Sequence, residues 1–175
     1  MKKRSAPLCL ALMIMMALSF TYKPAPKINW MSFEEMQEAY QKEPRPVLID
    51  LYTTWCGWCK VMDKKTYTHA KLVEYVNQNF YAVKFNAETK ASISFLGKDY
   101  TYNKKEKINE LAKTLAGYEL GFPTTIFLSK LNAQPAVLSG YMKPEEMEAP
   151  LKYFGSKAND RQSFVEFEKG MNKEW

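Results

Sequence analysis

An apolar and aromatic run at 47–52, "VLIDLY", interrupted only by Asp50, predicts a strand buried inside a sheet. "FYAVKFNAE" (80–88) predicts a second buried strand. Helical spacing surrounds them. Ser32 followed by Glu35 has the spacing of a capping box, and Phe33, Met36, Ala39 and Tyr40 repeat on one side until "KEPRP" stops the helix. "CKVMDKKTY" fits a helix beginning at Cys56, and Leu72, Val73, Tyr75, Val76 and Phe80 mark another. "ISFLGKDYTY" alternates on both sides of Gly97-Lys98-Asp99, as a small hairpin does. Residues 104–116 read as a helix, with Ile108, Leu111, Ala112 and Leu115 on one side and Gly117 ending it. "TTIFLS" and "PAVLSGY" form a strand pair around "KLNAQ", and Pro144 opens a helix that runs to Phe154. The tail from Arg161 is amphipathic through Phe164, Phe167 and Met171 and is expected to pack back as a short helix. The predicted class is α/β: a βαβ unit and an antiparallel pair in one central mixed sheet, with helices on both faces.

The N-terminus has a different pattern. Lys2, Lys3 and Arg4 precede an apolar stretch from Leu8 to Phe20, too short to span a bilayer comfortably and flanked like a secretory signal peptide. Ala17 and Ser19 place the cleavage after Ser19, the rival reading being an uncleaved membrane anchor; Cys9 leaves with the signal. The expected organisation is a signal peptide at 1–19, a linker at 20–29 containing "YKPAPK", one domain at 30–155 and a C-terminal extension at 156–175. Roughly 155 mature residues suit a single domain with a proper core. The formal net charge of +6 is halved once the three basic N-terminal residues leave, too mild a balance to suggest nucleic acid. "YNKKEKINELAK" then reads as the solvated face of a helix rather than a binding patch.

Two cysteines remain, three positions apart in "TTWCGWCK" (53–60). Export permits structural disulfides, but a bridge between Cys56 and Cys59 closes a loop of a few residues and would restrict the unfolded chain very little. A structural zinc needs four ligands, and the mature chain offers these cysteines and one histidine, His69, which reads as a surface residue. No metal is expected. A cysteine in the first turn of a helix, directly after a buried strand, faces unpaired N–H groups and the positive end of the helix dipole, which stabilise a thiolate. Cys56 is then the exposed nucleophile and Cys59, one turn on, the sheltered resolving thiol.

"VLIDLYTTWCGWCK" resembles the strand–WCxxCK–helix segment of the thioredoxin superfamily, over roughly residues 30–155. The resemblance implies a thioredoxin-like fold, a redox disulfide Cys56–Cys59, and a buried acid, Asp50, six residues before Cys56. It also implies that Lys84 in "AVKFNAE" partners that acid, that Pro123 in "GFPTT" is a cis-proline facing the disulfide, and that Phe122 presents backbone to substrate. Gly140, before the last helix, also fits. Read without the family, Asp50 could face water at a strand edge, Lys84 could extend its stem over the sheet towards solvent, and Pro123 could start its strand in trans. Trp58 stands where thioredoxin has proline, and the hairpin at 91–103 and the C-terminal tail are additions. The wording "WCGWCK" is similar to exported bacterial thioredoxin-like domains, including the C-terminal domain of the transmembrane thiol:disulfide interchange reductase.

The implied activity is that of an exported, periplasmic protein-disulfide oxidoreductase acting as a reductase without a cofactor. Cys56 and Cys59 exchange, Asp50 and Lys84 manage a proton, and Trp55, Gly57, Trp58, Phe122 and Pro123 meet the substrate. Its partners would be disulfide-containing exported proteins and a membrane electron donor, with a soluble, monomeric mature form and no nucleic acid. Two rivals stay open: a disulfide oxidase or isomerase using the same pair, and a binding or chaperone-like module. The second would work through Phe95, Tyr100, Tyr102 and the aromatic tail, which otherwise pack against the core.

Overall fold

The structure, a computed structural model, describes residues 26–117 and 120–175; the predicted signal peptide and its cleavage site lie outside the described residues. Strand β1 (Trp30–Met31) leads into α1 (Phe33–Lys42), β2 (Val47–Tyr52), α2 (Gly57–Lys65), α3 (Ala70–Asn79) and β3 (Tyr81–Asn86). Two hairpins follow, β4 (Ile93–Phe95) with β5 (Lys98–Tyr100), and β6 (Tyr102–Asn103) with β7 (Ile108–Asn109). Then come α4 (Glu110–Ala116), β8 (Thr124–Leu128), β9 (Ala136–Ser139), α5 (Pro144–Gly155), a 3-10 turn (Ala158–Asp160) and α6 (Phe164–Gly170). The main sheet has the order β1-β3-β2-β8-β9; β1, β3 and β2 run parallel, while β8 and β9 join antiparallel.

Strand periodicity divides the core into two layers. Val47, Ile49 and Leu51 of β2 pack with Phe33, Met36, Leu111 and Leu115 on one face of the sheet. Leu48 packs with Met62, Val73, Val76, Met147 and Leu151 on the other. Each fully buried side chain of this kind contributes about 1.5–3 kcal/mol, and a slip of one residue would exchange the two sets, so the register of β2 is strongly specified. Asp50 belongs to the second set. Its carboxylate therefore points toward α2, away from α1.

The capping box at Ser32 is present: Glu35 N–H donates to Ser32 Oγ (3.1 Å) and Ser32 N–H to Glu35 Oε2 (2.8 Å). The helix expected over 104–116 begins only at Glu110. Asn103 Oδ1 accepts the N–H groups of Lys105 (3.0 Å) and Glu106 (3.1 Å), Lys107 adopts φ 59°, and Ile108 becomes part of β7. Buried Asn109 then caps α4 by accepting the Leu111 N–H at 3.0 Å. Local Asn chemistry overrides the helical stripe here. The β4–β5 turn falls on Leu96 and Gly97, with φ of 52° and 75°, one step before the expected Gly97-Lys98-Asp99. Phe95 and Tyr100 are buried in the first core layer, so these aromatics support the fold.

The tail does pack back. Phe164 and Phe167 set their rings 5.3 and 5.4 Å from Tyr153, although no residue of α6 is buried. The last residues are held more firmly. Buried Glu148 accepts the N–H groups of Glu174 (2.7 Å) and Trp175 (3.1 Å) and pairs with Lys152 (2.9 Å). Trp175 lies against Tyr75 and His69, leaving His69 half-buried at the N-cap of α3 rather than on the surface. Among the described residues no helix is long and apolar enough to cross a membrane.

Candidate active site

The chain leaves β2 and enters α2 through a tight turn in which Thr53 C=O accepts the Cys56 N–H (3.3 Å). Cys56 is the N-cap of α2, and its Sγ accepts the N–H of Cys59 at 3.0 Å. A sulfur thus fills the place usually taken by a Ser or Asp oxygen. The same donors and the helix dipole favour negative charge on that sulfur. Cys56 and Cys59 are joined, with Sγ–Sγ 2.06 Å. The expected contrast in exposure is not found: each cysteine is 4% exposed. Closing the bridge and capping the helix both hold Cys56 Sγ back over the first turn.

Exposed aromatic rings flank the pair. Trp55 meets Phe122 edge-on with centroids 6.0 Å apart, and its Nε1–H donates to Glu88 Oε1 (3.0 Å). Trp58 stacks on Tyr141, centroids 5.4 Å apart. The Phe122–Pro123 peptide is cis, and Pro123 C=O accepts the N–H of Gly140 (2.8 Å), whose φ of +100° suits glycine. Trp58, Phe122, Pro123, Gly140 and Tyr141 line an apolar groove of about 290 Å³. Gly57 sits in the exposed first turn of α2.

Beneath this surface lies a charged cluster. The parallel register sets Asp50 directly opposite Lys84, and Lys84 Nζ is 3.0 Å from Asp50 Oδ2. The same ammonium pairs with Asp63 of α2. Rings of Trp30, Tyr52 and Tyr67 surround it, with centroids 5.2, 5.2 and 5.7 Å away. Tyr67 O–H donates to Asp50 Oδ1 at 3.4 Å. Burial pushes the Asp50 carboxyl above its ordinary range, with Lys84 opposing that shift in part. Burial would lower Lys84, but Asp50 and Asp63 outweigh it and hold the ammonium above its usual value. Burial, followed by the neighbouring Asp50 charge, raises the Tyr67 hydroxyl well above normal.

The structure therefore gathers Cys56, Cys59, Trp55, Gly57, Trp58, Phe122 and Pro123 around one end of the sheet, with Asp50 and Lys84 below. Sequence reasoning missed Asp63 and Tyr67. Asp63 is four residues after Cys59, on the same face of α2, but that spacing alone does not set it apart from the other charged residues of the helix.

Residues 18–157 match the family Thioredox_DsbH, described as a protein of unknown function, DUF255. A stretch of 122 residues is 29% identical to the thiol:disulfide interchange protein DsbD of Pectobacterium atrosepticum, covering 69% of this chain and 18% of that protein. The chain thus spans less than a fifth of the length of the first curated relatives it matches. Among solved structures, a thioredoxin from Thermus thermophilus superposes with TM-score 0.55 at 16% identity, over 79% of this chain and 98% of that one. A structure described as a DsbH oxidoreductase gives TM-score 0.54 at 16% identity, over 77% and 90%. These likenesses show a thioredoxin-like fold.

Proposed function

The chain belongs to the Thioredox_DsbH family, and from that premise we propose that it is an exported protein-disulfide reductase working through Cys56 and Cys59. The observation that carries this reading is the sulfur of Cys56 capping α2 and bonded to Cys59, with Trp58 between them lining an apolar groove.

In the dithiol state the Cys56 thiolate attacks one sulfur of a substrate disulfide. That bond breaks, a mixed disulfide forms, and the second substrate sulfur leaves as a thiolate. Cys59 then gives up its proton and attacks Cys56 Sγ, expelling the first substrate sulfur. Two electrons pass to the substrate, and the Cys56–Cys59 bridge is restored. Asp50 suits the proton step: a buried carboxyl with a raised pKa accepts a proton more readily than an ordinary aspartate. Lys84 and Asp63 fix its orientation. The substrate segment lies against Phe122 and Pro123, between Trp55 and Trp58 and over Gly57. Return to the dithiol needs an electron donor, and export places that donor in the membrane. The N-terminal basic-apolar pattern is the support for export.

Turnover of a disulfide-bonded protein in the presence of a dithiol tests the scheme. Cys56→Ser should abolish it, and Cys59→Ser should accumulate covalent substrate adducts on non-reducing gels. Undiminished activity in Cys56→Ser would sink the mechanism.

A further inference from the structure

A second concavity is an open groove of about 590 Å³ lined by Lys90, Thr101, Tyr102, Lys104 and Lys107. Its three lysines are exposed, and among the described residues none takes part in an ion pair and no carboxylate lines it. Of the acids nearest in sequence, Glu88 accepts from Trp55 Nε1 and Glu106 pairs with Lys113 at 2.7 Å, while Asp99 and Glu110 are exposed and do not line the groove.

The groove is built, although it consists of connecting segments. Asn109, fully buried, donates through Nδ2 to the C=O groups of Ala91 (3.1 Å) and Tyr100 (3.4 Å). Its own N–H donates to Ala87 C=O (2.7 Å), and Glu110 N–H donates to Thr101 C=O (3.0 Å). One buried side chain thus fixes the three stretches that carry the lysines. The groove is also tied to the redox site. Ala87 N–H donates to Tyr52 C=O (2.8 Å), and the next residue, Glu88, holds Trp55 beside Cys56. Lys90 is two residues further on, a reach of at most about 7 Å along the chain.

We propose that this groove docks an acidic stretch of the redox partner, flanking the cysteine that enters the active site. The inference deepens the disulfide-exchange reading and rests on it. Charge complementarity selects the occupant: lysines on the segment that follows Glu88, the partner of Trp55, attract carboxylates, raising encounter and orienting the incoming disulfide. Nucleic acid would demand a longer basic stripe, and a membrane surface would demand apolar anchors that this lining, with Tyr102 alone, does not supply.

The test uses the native chain and two disulfide-linked peptides that differ only in carrying glutamates or glutamines beside the cysteine. With recycling dithiol at low ionic strength, kcat/KM for the glutamate peptide should be about tenfold higher, through KM. The ratio should fall to near one at roughly 0.5 M salt and in the Lys90→Gln, Lys104→Gln, Lys107→Gln triple variant. Equal rates for the two peptides at low salt, or a preference that survives in the triple variant, overturns the proposal. A labelled glutamate peptide with serine in place of cysteine separates the two readings, because its binding, followed by fluorescence anisotropy, needs no exchange. Salt-sensitive binding without turnover upholds the groove and sinks the redox reading. Turnover of both peptides at equal rates does the reverse. Tighter binding of an oligonucleotide or of anionic vesicles than of the glutamate peptide also overturns it.

Discussion

Asp50 interrupts an otherwise apolar strand, and the two readings of it open in sequence were a solvated edge and a buried partner of the cysteines. Its neighbours decide in favour of burial: Leu48 and Asp50 share the face that α2 covers, and Lys84 stands opposite in register. Cys56, Cys59, Asp50, Lys84 and Pro123 were legible because motif spacing and a family resemblance pointed at them. Asp63 and Tyr67 were not, since a charged residue in a helix and a tyrosine beyond its end look ordinary until the tertiary fold folds them onto Asp50. Burial, opposed in part by Lys84, raises the Asp50 pKa above its unfolded value. Between those two values the folded chain keeps a proton that the unfolded chain has lost, so stability falls as pH rises through that window. Asp50→Asn carries no such proton, so it should gain stability on the native chain as pH rises through that window. The gain should vanish at about pH 3, where the aspartate is protonated in both states. Urea unfolding there and at neutral pH checks this. The same variant should release mixed disulfides about tenfold more slowly at neutral pH, water replacing the lost base only in part.

Elements follow the sequence wherever a single periodicity governs them. β2, β3 and α1 to α3 are of this kind, their apolar positions all serving one of two layers. The segment 102–109 escapes because two asparagines, Asn103 and Asn109, capture backbone groups that a helix would have used internally. β1 escapes because two residues are too few to carry a pattern. The C-terminal clasp was equally hidden, since Glu148 reads as an outward charge of an amphipathic helix. In the fold it is buried, and Lys152 with the N–H groups of Glu174 and Trp175 outweighs that burial, which alone would raise it, and holds the carboxyl below its usual range. A lowered folded pKa contributes stability that is present above the unfolded value and is lost as pH falls through the folded one. Glu148→Gln should therefore lower stability by about 2 kcal/mol at neutral pH, and the gap to the native chain should narrow under acid. Urea midpoints across that range measure it.

The direction of exchange belongs to the whole molecule, because it is set by how folding weighs disulfide against dithiol. The Cys56–Cys59 bridge closes too short a loop to stabilise by chain entropy. The helix N-terminus favours a Cys56 thiolate, and hence the dithiol state, by about 1 kcal/mol. Against it stands the burial of both sulfurs, each cysteine being 4% exposed. A thiolate in low-dielectric surroundings is disfavoured by more than the dipole supplies. The folded chain should therefore prefer the disulfide more strongly than the unfolded chain does, as the proposed reductase role requires. By the thermodynamic cycle, the disulfide form should resist urea better than the reduced form. A difference of about 2 kcal/mol corresponds to a folded potential roughly 40 mV below the unfolded one. Urea unfolding of both forms and an independent glutathione equilibrium must agree in sign. If the reduced form unfolds later and the glutathione equilibrium favours the dithiol, the protein is an oxidant and electrons flow the other way through the same pair.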